Sequence, residues 1–202
     1  MEWRRAASSS CADGFSGSWW SGPLDHRGVA SADSRDGCPN GFHILSVDGA
    51  AYTTRFVPAK EANGRQMRLS LLTRANGGRV ESDRLIGQVR TLGSPVAQTS
   101  LHGATLVANV FDGGDRTKVT MRIGGRTPVE MTRESRPDPF AEEVFGRHPE
   151  TVKFWVKPEK SSHIWSARLP TDLAPGVYPV VVEAVGEYGQ PLNGRLVLEV
   201  TG

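Results

Sequence analysis

From Lys118 to Ile123 polar and apolar residues alternate without a break: Lys118, Thr120 and Arg122 point one way, Val119, Met121 and Ile123 the other. A period of two is incompatible with a helix and specifies a strand with one buried face. Gly124-Gly125 turns the chain and 127–132 returns, with Pro128 placing that return at a sheet edge. Similar segments recur at short spacing. Residues 66–72 alternate. Residues 104–111 form a strand closed by Asp112-Gly113-Gly114, and further strand signals lie at 152–156, 163–169, 177–184 and 196–200. The 23 glycines and 13 prolines in 202 residues suit short strands joined by turns. The pattern predicts an all-β, two-layer antiparallel β-sandwich over 104–202. Its expected core is Val107, Val119, Met121, Trp165, Leu173 and Val181 or its strand neighbours. One helix is expected, with Asp138 as cap, Pro139 at the first position, and Phe140 to Phe145 in its body.

Leu173-Ala174-Pro175-Gly176-Val177-Tyr178 puts a leucine, a Pro-Gly corner and a tyrosine just ahead of the strongly β-forming Val180-Val181-Val182. In immunoglobulin-like and fibronectin-like sandwiches a tyrosine at such a corner bonds back to upstream backbone. Leu173, Pro175, Gly176 and Tyr178 are therefore read as a structural corner.

The early part of the chain is different. In Gly17-Ser18-Trp19-Trp20-Ser21-Gly22 the adjacent tryptophans of a strand project to opposite faces, so both faces need apolar cover. Pro39-Asn40-Gly41 then turns, 42–47 runs apolar, Asp48-Gly49 turns again, and 51–57 returns. This stretch reads as a β-hairpin segment of a larger sheet, most of which lies outside the chain. Trp19, Trp20, Phe42, Ile44 and Phe56 are its expected domain-interface residues. The expected organisation is a disordered leader at 1–14, the hairpin segment at 15–60, a strand and loose linker at 61–103, and the sandwich at 104–202.

The formal net charge is +2, so no strong field for nucleic acid or an anionic membrane is expected. No apolar run approaches the ~20 residues of a membrane helix. The first residues carry charge without the apolar stretch of a signal peptide. Cys11 and Cys38 are compatible with a disulfide and with reduced thiols alike.

Three blocks, in this order and spacing, give the chain a family likeness from about Ser16 onward. They are Gly17 to Gly22 with Asp36-Gly37-Cys38-Pro39-Asn40-Gly41-Phe42; Asn109 to Gly113 through Val119-Thr120-Met121-Arg122-Ile123; and Ser162-His163-Ile164-Trp165 with Leu169-Pro170, Asp172-Leu173 and Pro175-Gly176-Val177-Tyr178. Together they resemble the C-terminal region of bacterial calcineurin-like metallophosphoesterases. Residues 1–14 and the long stretch 73–103 depart from that pattern. The resemblance implies a central hydrolase domain holding two divalent metals, preceded by a β-domain and followed by this region. The hairpin would finish or flank the hydrolase sheet.

The metal-ligand motifs that the family implies are Asp-x-His, Gly-Asp-x-x-Asp, Gly-Asn-His-Glu/Asp and Gly-His-x-His, which serve to activate water. None occurs here. Gly114-Asp115 is followed by Lys118, and Asp25-His26 are adjacent. The histidines, at 26, 43, 102, 148 and 163, are scattered and are expected to be structural or exposed. No catalytic, cofactor-binding or metal residue is expected in this chain. The implied role is an accessory domain, or a truncated product, whose partner is a phosphoesterase catalytic domain: in cis in relatives, in cis or in trans here.

The competing reading is a carbohydrate-binding or adhesive immunoglobulin-like module that would use Trp19, Trp20 or Trp165 as stacking surfaces. Burial is the expectation for Trp165. Arg133, Arg136, Arg147, His148 and Lys153 suggest a basic rim, but Glu130, Glu134, Asp138, Glu142 and Glu143 are interleaved, so a solvated loop is expected.

Overall fold

The computed structural model describes residues 5–7, 22–24, 27–28, 33–59, 65–72 and 95–202. Trp19, Trp20, Cys11 and His26 lie outside the described residues. Twelve strands are seen among them: β1 (Arg5–Ala7), β2 (Gly41–Asp48), β3 (Ala51–Pro58), β4 (Met67–Leu72), β5 (Val96–Ala97), β6 (Thr105–Val110), β7 (Lys118–Ile123), β8 (Val129–Glu130), β9 (Thr132–Pro137), β10 (Lys160–Arg168), β11 (Gly176–Val185) and β12 (Pro191–Thr201).

They form three sheets, ordered β1-β2-β3, β4-β6-β10-β9 and β5-β12-β11-β7-β8. All pairs are antiparallel except β5 with β12. The second and third sheets face each other across one core. Leu106, Ala108, Val110 and Trp165 enter it from one side, and Val119, Met121, Ile123, Val180, Val182 and Leu198 from the other. The all-β sandwich expected from the sequence is therefore present, and it recruits β4 from upstream of residue 104.

Alternation explains most side-chain directions. On β7 the three apolar residues are buried and Lys118 and Arg122 exposed. Val180 and Val182 take the core positions, with Val181 half-buried beside them. Val107 corrects the expected core. It is buried, but on the opposite face of its sheet, in a small cluster with Leu72 and Ile164, because Leu106 and Ala108 already point into the sandwich. The return strand near Pro128 is the two-residue β8, at the sheet edge.

The corner at 173–178 closes as a hydrogen bond from the Tyr178 hydroxyl to the Ala174 carbonyl, 2.8 Å, while Leu173 sits in the core. The helix α1 (Pro139–Arg147) begins as its sequence dictates: Asp138 accepts the Phe140 N–H at 2.9 Å and Pro139 needs no donor partner.

The β2–β3 hairpin turns through Gly49-Ala50, with Gly49 at φ 59°. Its register pairs Phe42 with Val57, His43 with Phe56 and Ile44 with Arg55. Directly paired residues share a face, so Phe42, Ile44 and Val57 lie on one side and Phe56 on the other. Phe56 is 1% exposed, clustered with Phe111 and Cys38. Phe56, expected at a domain interface, here fastens the hairpin to its own chain.

Candidate functional site

The outer face of the β4-β6-β10-β9 sheet is unusually polar for a buried surface. Arg68, Ser70, Asn109, His163 and Ser166 are all buried there. Arg68 pairs with Asn109 across β4 and β6, and Asn109 pairs with Ile164 across β6 and β10, so these positions share one face. Two segments cover it, residues 33–40 and the start of α1. The cover is fastened at Arg35, which donates to the Lys157 carbonyl at 2.9 Å and whose own carbonyl accepts the Glu159 N–H at 2.9 Å.

Residues 34–38 make a tight turn, with Ser34 N–H donating to the Cys38 carbonyl (2.7 Å) and Gly37 N–H to the Ser34 carbonyl (2.9 Å). Gly37 has φ 86°, and a Cβ there would strike the Asp138 carboxylate, so both backbone and space require glycine. Asp36 Oδ1 accepts the Cys38 N–H at 3.0 Å, which leaves Oδ2 and the Cys38 thiol facing the sheet.

His163 meets them from β10. Between Ser161 and Ile164 the pairing with β9 shifts by one residue, a bulge that frees His163 from strict alternation and lets it join the outer face. Its Nε2 lies 3.2 Å from Asp36 Oδ2 and 3.6 Å from Cys38 Sγ. Its Nδ1 lies 2.8 Å from Asn109 Oδ1. Asn109 is oriented by its amide, which donates to Asp138 Oδ2 (2.5 Å) and to the Asp36 carbonyl (3.3 Å). With its amide nitrogen so committed, Asn109 turns an acceptor toward His163, and Nδ1 must carry the proton.

Arg68 closes the far side. It donates to the Gly37 carbonyl, to Asp138 (3.4 Å) and to Asp33 (3.3 Å), and stacks 3.6 Å from the centroid of the Phe140 ring. Burial pushes the Asp36 carboxyl up, but the hydrogen bond and charge of His163, with the Cys38 N–H and Ser34, outweigh it and hold the group below the usual range. At Asp138 burial wins over Arg68, Asn109 and the Phe140 N–H, and the pKa is raised.

Glu142 gives the region a testable pH signature. Its Oε2 is buried without a hydrogen-bond partner, and burial raises its pKa to about 7, against the pull of Arg136 and with the push of Asp138. A folded-state pKa above the unfolded value means a contribution fully present below about 4.5 and lost as pH rises through about 7. Glu142→Gln should therefore gain on the native chain by about 1–2 kcal/mol between roughly pH 5 and pH 8, allowing for partial solvent exposure. Urea midpoints at the two pH values check it; a constant difference would refute it.

The Asp36–Cys38–His163 grouping is absent from the sequence expectations, which treated the histidines as scattered. Asp36-x-Cys38 and an asparagine inside an otherwise apolar strand were the available signals. The other described histidines fit that expectation better: His43 faces Asp112 at 2.9 Å, His148 faces Glu150 at 3.4 Å, and His102 bonds the Thr99 carbonyl. The basic residues of 133–147 are matched locally, Arg133 with Asp115, Arg136 with Glu134 and Arg147 with Glu143. Of the expected interface residues, Phe42 (36% exposed) and Ile44 (half-buried) lie on the hairpin's outward face.

Asp36, Cys38 and His163 are each no more than 2% exposed. No helix among the described residues is long and apolar enough to cross a membrane. No curated protein matches the chain. A family model described as the C terminal of calcineurin-like phosphoesterase matches residues 11–191. That span takes in the covering segment, the polar face beneath it and the sandwich up to the start of β12, and on it the chain belongs to the family of C-terminal domains of calcineurin-like phosphoesterases.

Proposed function

We propose that the chain acts as a non-catalytic accessory domain that packs against and supports a two-metal phosphoester hydrolase domain. The observation that carries this reading is the two-sided hairpin. One face is tied down through Phe56, Phe111, Cys38 and the His43–Asp112 contact. The other presents Phe42, Ile44 and Val57 outward, the apolar stripe of a sheet built to be covered twice. The carbohydrate alternative draws less support. Trp165 is 2% exposed in the core, and the exposed Phe154 and Trp155 rings stand at 86° to each other, which is not a flat stacking platform.

The test mixes the chain with a calcineurin-like hydrolase domain lacking its own C-terminal region. The chain alone should give no chelator-sensitive turnover of an aryl phosphate with Mn²⁺ or Zn²⁺. Added in trans, it should bind the hydrolase domain and raise its melting temperature. Phe42→Glu with Ile44→Lys should weaken that association by more than about tenfold, roughly 1.4 kcal/mol, while leaving the chain's own melting temperature unchanged. Chelator-sensitive turnover by the chain alone, or association indifferent to the double variant, would overturn the proposal.

A further inference from the structure

We infer that Asp36, Cys38 and His163 form a structural site for one divalent, zinc-type cation, between the covering segment and the outer face of the β4-β6-β10-β9 sheet and separate from any hydrolase chemistry. Zinc bound tetrahedrally by thiolate, imidazole and carboxylate sits about 2.3, 2.0–2.1 and 2.0–2.2 Å from the S, N and O atoms. Those lengths require ligand edges of about 3.6 Å between S and N and about 3.4 Å between N and O. The edges here are 3.6 Å from Cys38 Sγ to His163 Nε2 and 3.2 Å from Nε2 to Asp36 Oδ2, and all three atoms lie within 4.8 Å of one another.

The surroundings are those of a ligand set. Metal-bound histidines characteristically donate their second ring N–H to a fixed acceptor, which sets the tautomer and aims the lone pair. His163 Nδ1 does this toward Asn109 Oδ1, and Asn109 is itself fixed by Asp138 and the Asp36 carbonyl. Asp36 uses Oδ1 on the Cys38 N–H and turns Oδ2 toward His163 Nε2.

Charge favours the same conclusion. When the ion binds, the Cys38 thiol and the Nε2–H that faces Asp36 each release a proton to solvent, Nε2 presents its lone pair, and Nδ1 keeps its proton. One thiolate and one carboxylate then neutralise the two charges of the cation. A buried site with a neutral total avoids the penalty that an unbalanced ion would incur. The three ligands also join the covering segment to β10, so binding free energy becomes folding free energy.

The experiment uses the whole 202-residue chain, reduced and stripped with chelator. Titration with Co²⁺ should give a thiolate-to-cobalt charge-transfer band that saturates at one ion per chain and is bleached by Zn²⁺. Zinc should raise the melting temperature of the stripped protein. Cys38→Ser should abolish the band. Asn109→Thr, which loosens the support of His163 and leaves the three ligands in place, should weaken affinity about 10–100-fold. No band in the native chain, or a band that survives Cys38→Ser, would overturn the site. The native-chain titration decides the matter even where a variant folds poorly. Neither readout depends on a hydrolase domain, so this inference and the accessory role fail separately.

Discussion

Replacing Arg68 by methionine should lower the stability of the chain by about 3–5 kcal/mol, the range seen when one partner of a buried ion pair is removed. Arg68 is 8% exposed and serves three acceptors: the Gly37 carbonyl, Asp138 and Asp33. Methionine preserves the apolar stem but neither the donors nor the guanidinium that stacks on the Phe140 ring. Asp138, 1% exposed, would keep only Asn109 and the Phe140 N–H. Arg68→Lys should recover part of the loss, since a single ammonium cannot reproduce a planar fork serving three oxygens. The double variant Arg68→Met with Asp138→Asn should also recover part, because the uncompensated charge is gone. Urea unfolding at neutral pH measures all three. A loss below about 1 kcal/mol for Arg68→Met would place the residue with ordinary surface pairs and refute the account.

Trp165→Ala should be comparably damaging, about 3–5 kcal/mol, for a different reason. Trp165 is 2% exposed and packs in the sandwich core with β6 on one flank and β9 on the other. Its ring lies so close to Gly113 that a Cβ on that residue would come within 2.6 Å of it. The void left by the indole lies between two sheets whose spacing is fixed by many other side chains, so the site collapses poorly. Gly113→Ala approaches the same contact from the overpacked side and should lose about 1–3 kcal/mol. Thermal or denaturant unfolding, followed by near-ultraviolet circular dichroism, reports both. A Trp165→Ala variant within about 1 kcal/mol of the native chain would show that the ring does not anchor the core.

What the sequence revealed was whatever local chemistry decides. The alternation on β7, the edge proline, the Asp138-Pro139 helix start and the Tyr178 corner all depend on neighbours a few residues apart, and each could be read directly. Pairing parity could not. Phe42, Ile44 and Phe56 looked like one set until the register set Phe56 opposite His43 and so turned it inward. Val107 was misplaced for the same reason, since an apolar strand covered on both faces does not announce which face is which. The polar cluster was least legible. Its members come from the covering segment, β4, β6, the α1 cap and a bulge in β10, and no spacing in the chain relates Asp36 to His163. The unsatisfied requirement for partners that makes each of them costly to bury is visible only once the sheet and its cover are superposed.

The join between Cys38 and His163 spans 125 positions. During synthesis at about 5–20 residues per second, the segment carrying Asp36 and Cys38 waits roughly 6–25 s before the strand that receives it has been made. Phe111, which packs on Cys38 and Phe56, is made 73 positions after Cys38, so the hairpin gains its anchor well before His163 completes the cluster. The covering segment is thus a late arrival at its own binding face. The hairpin is anchored first, and Asp36 and Cys38 meet their last partner, His163, only when about four-fifths of the chain has been made.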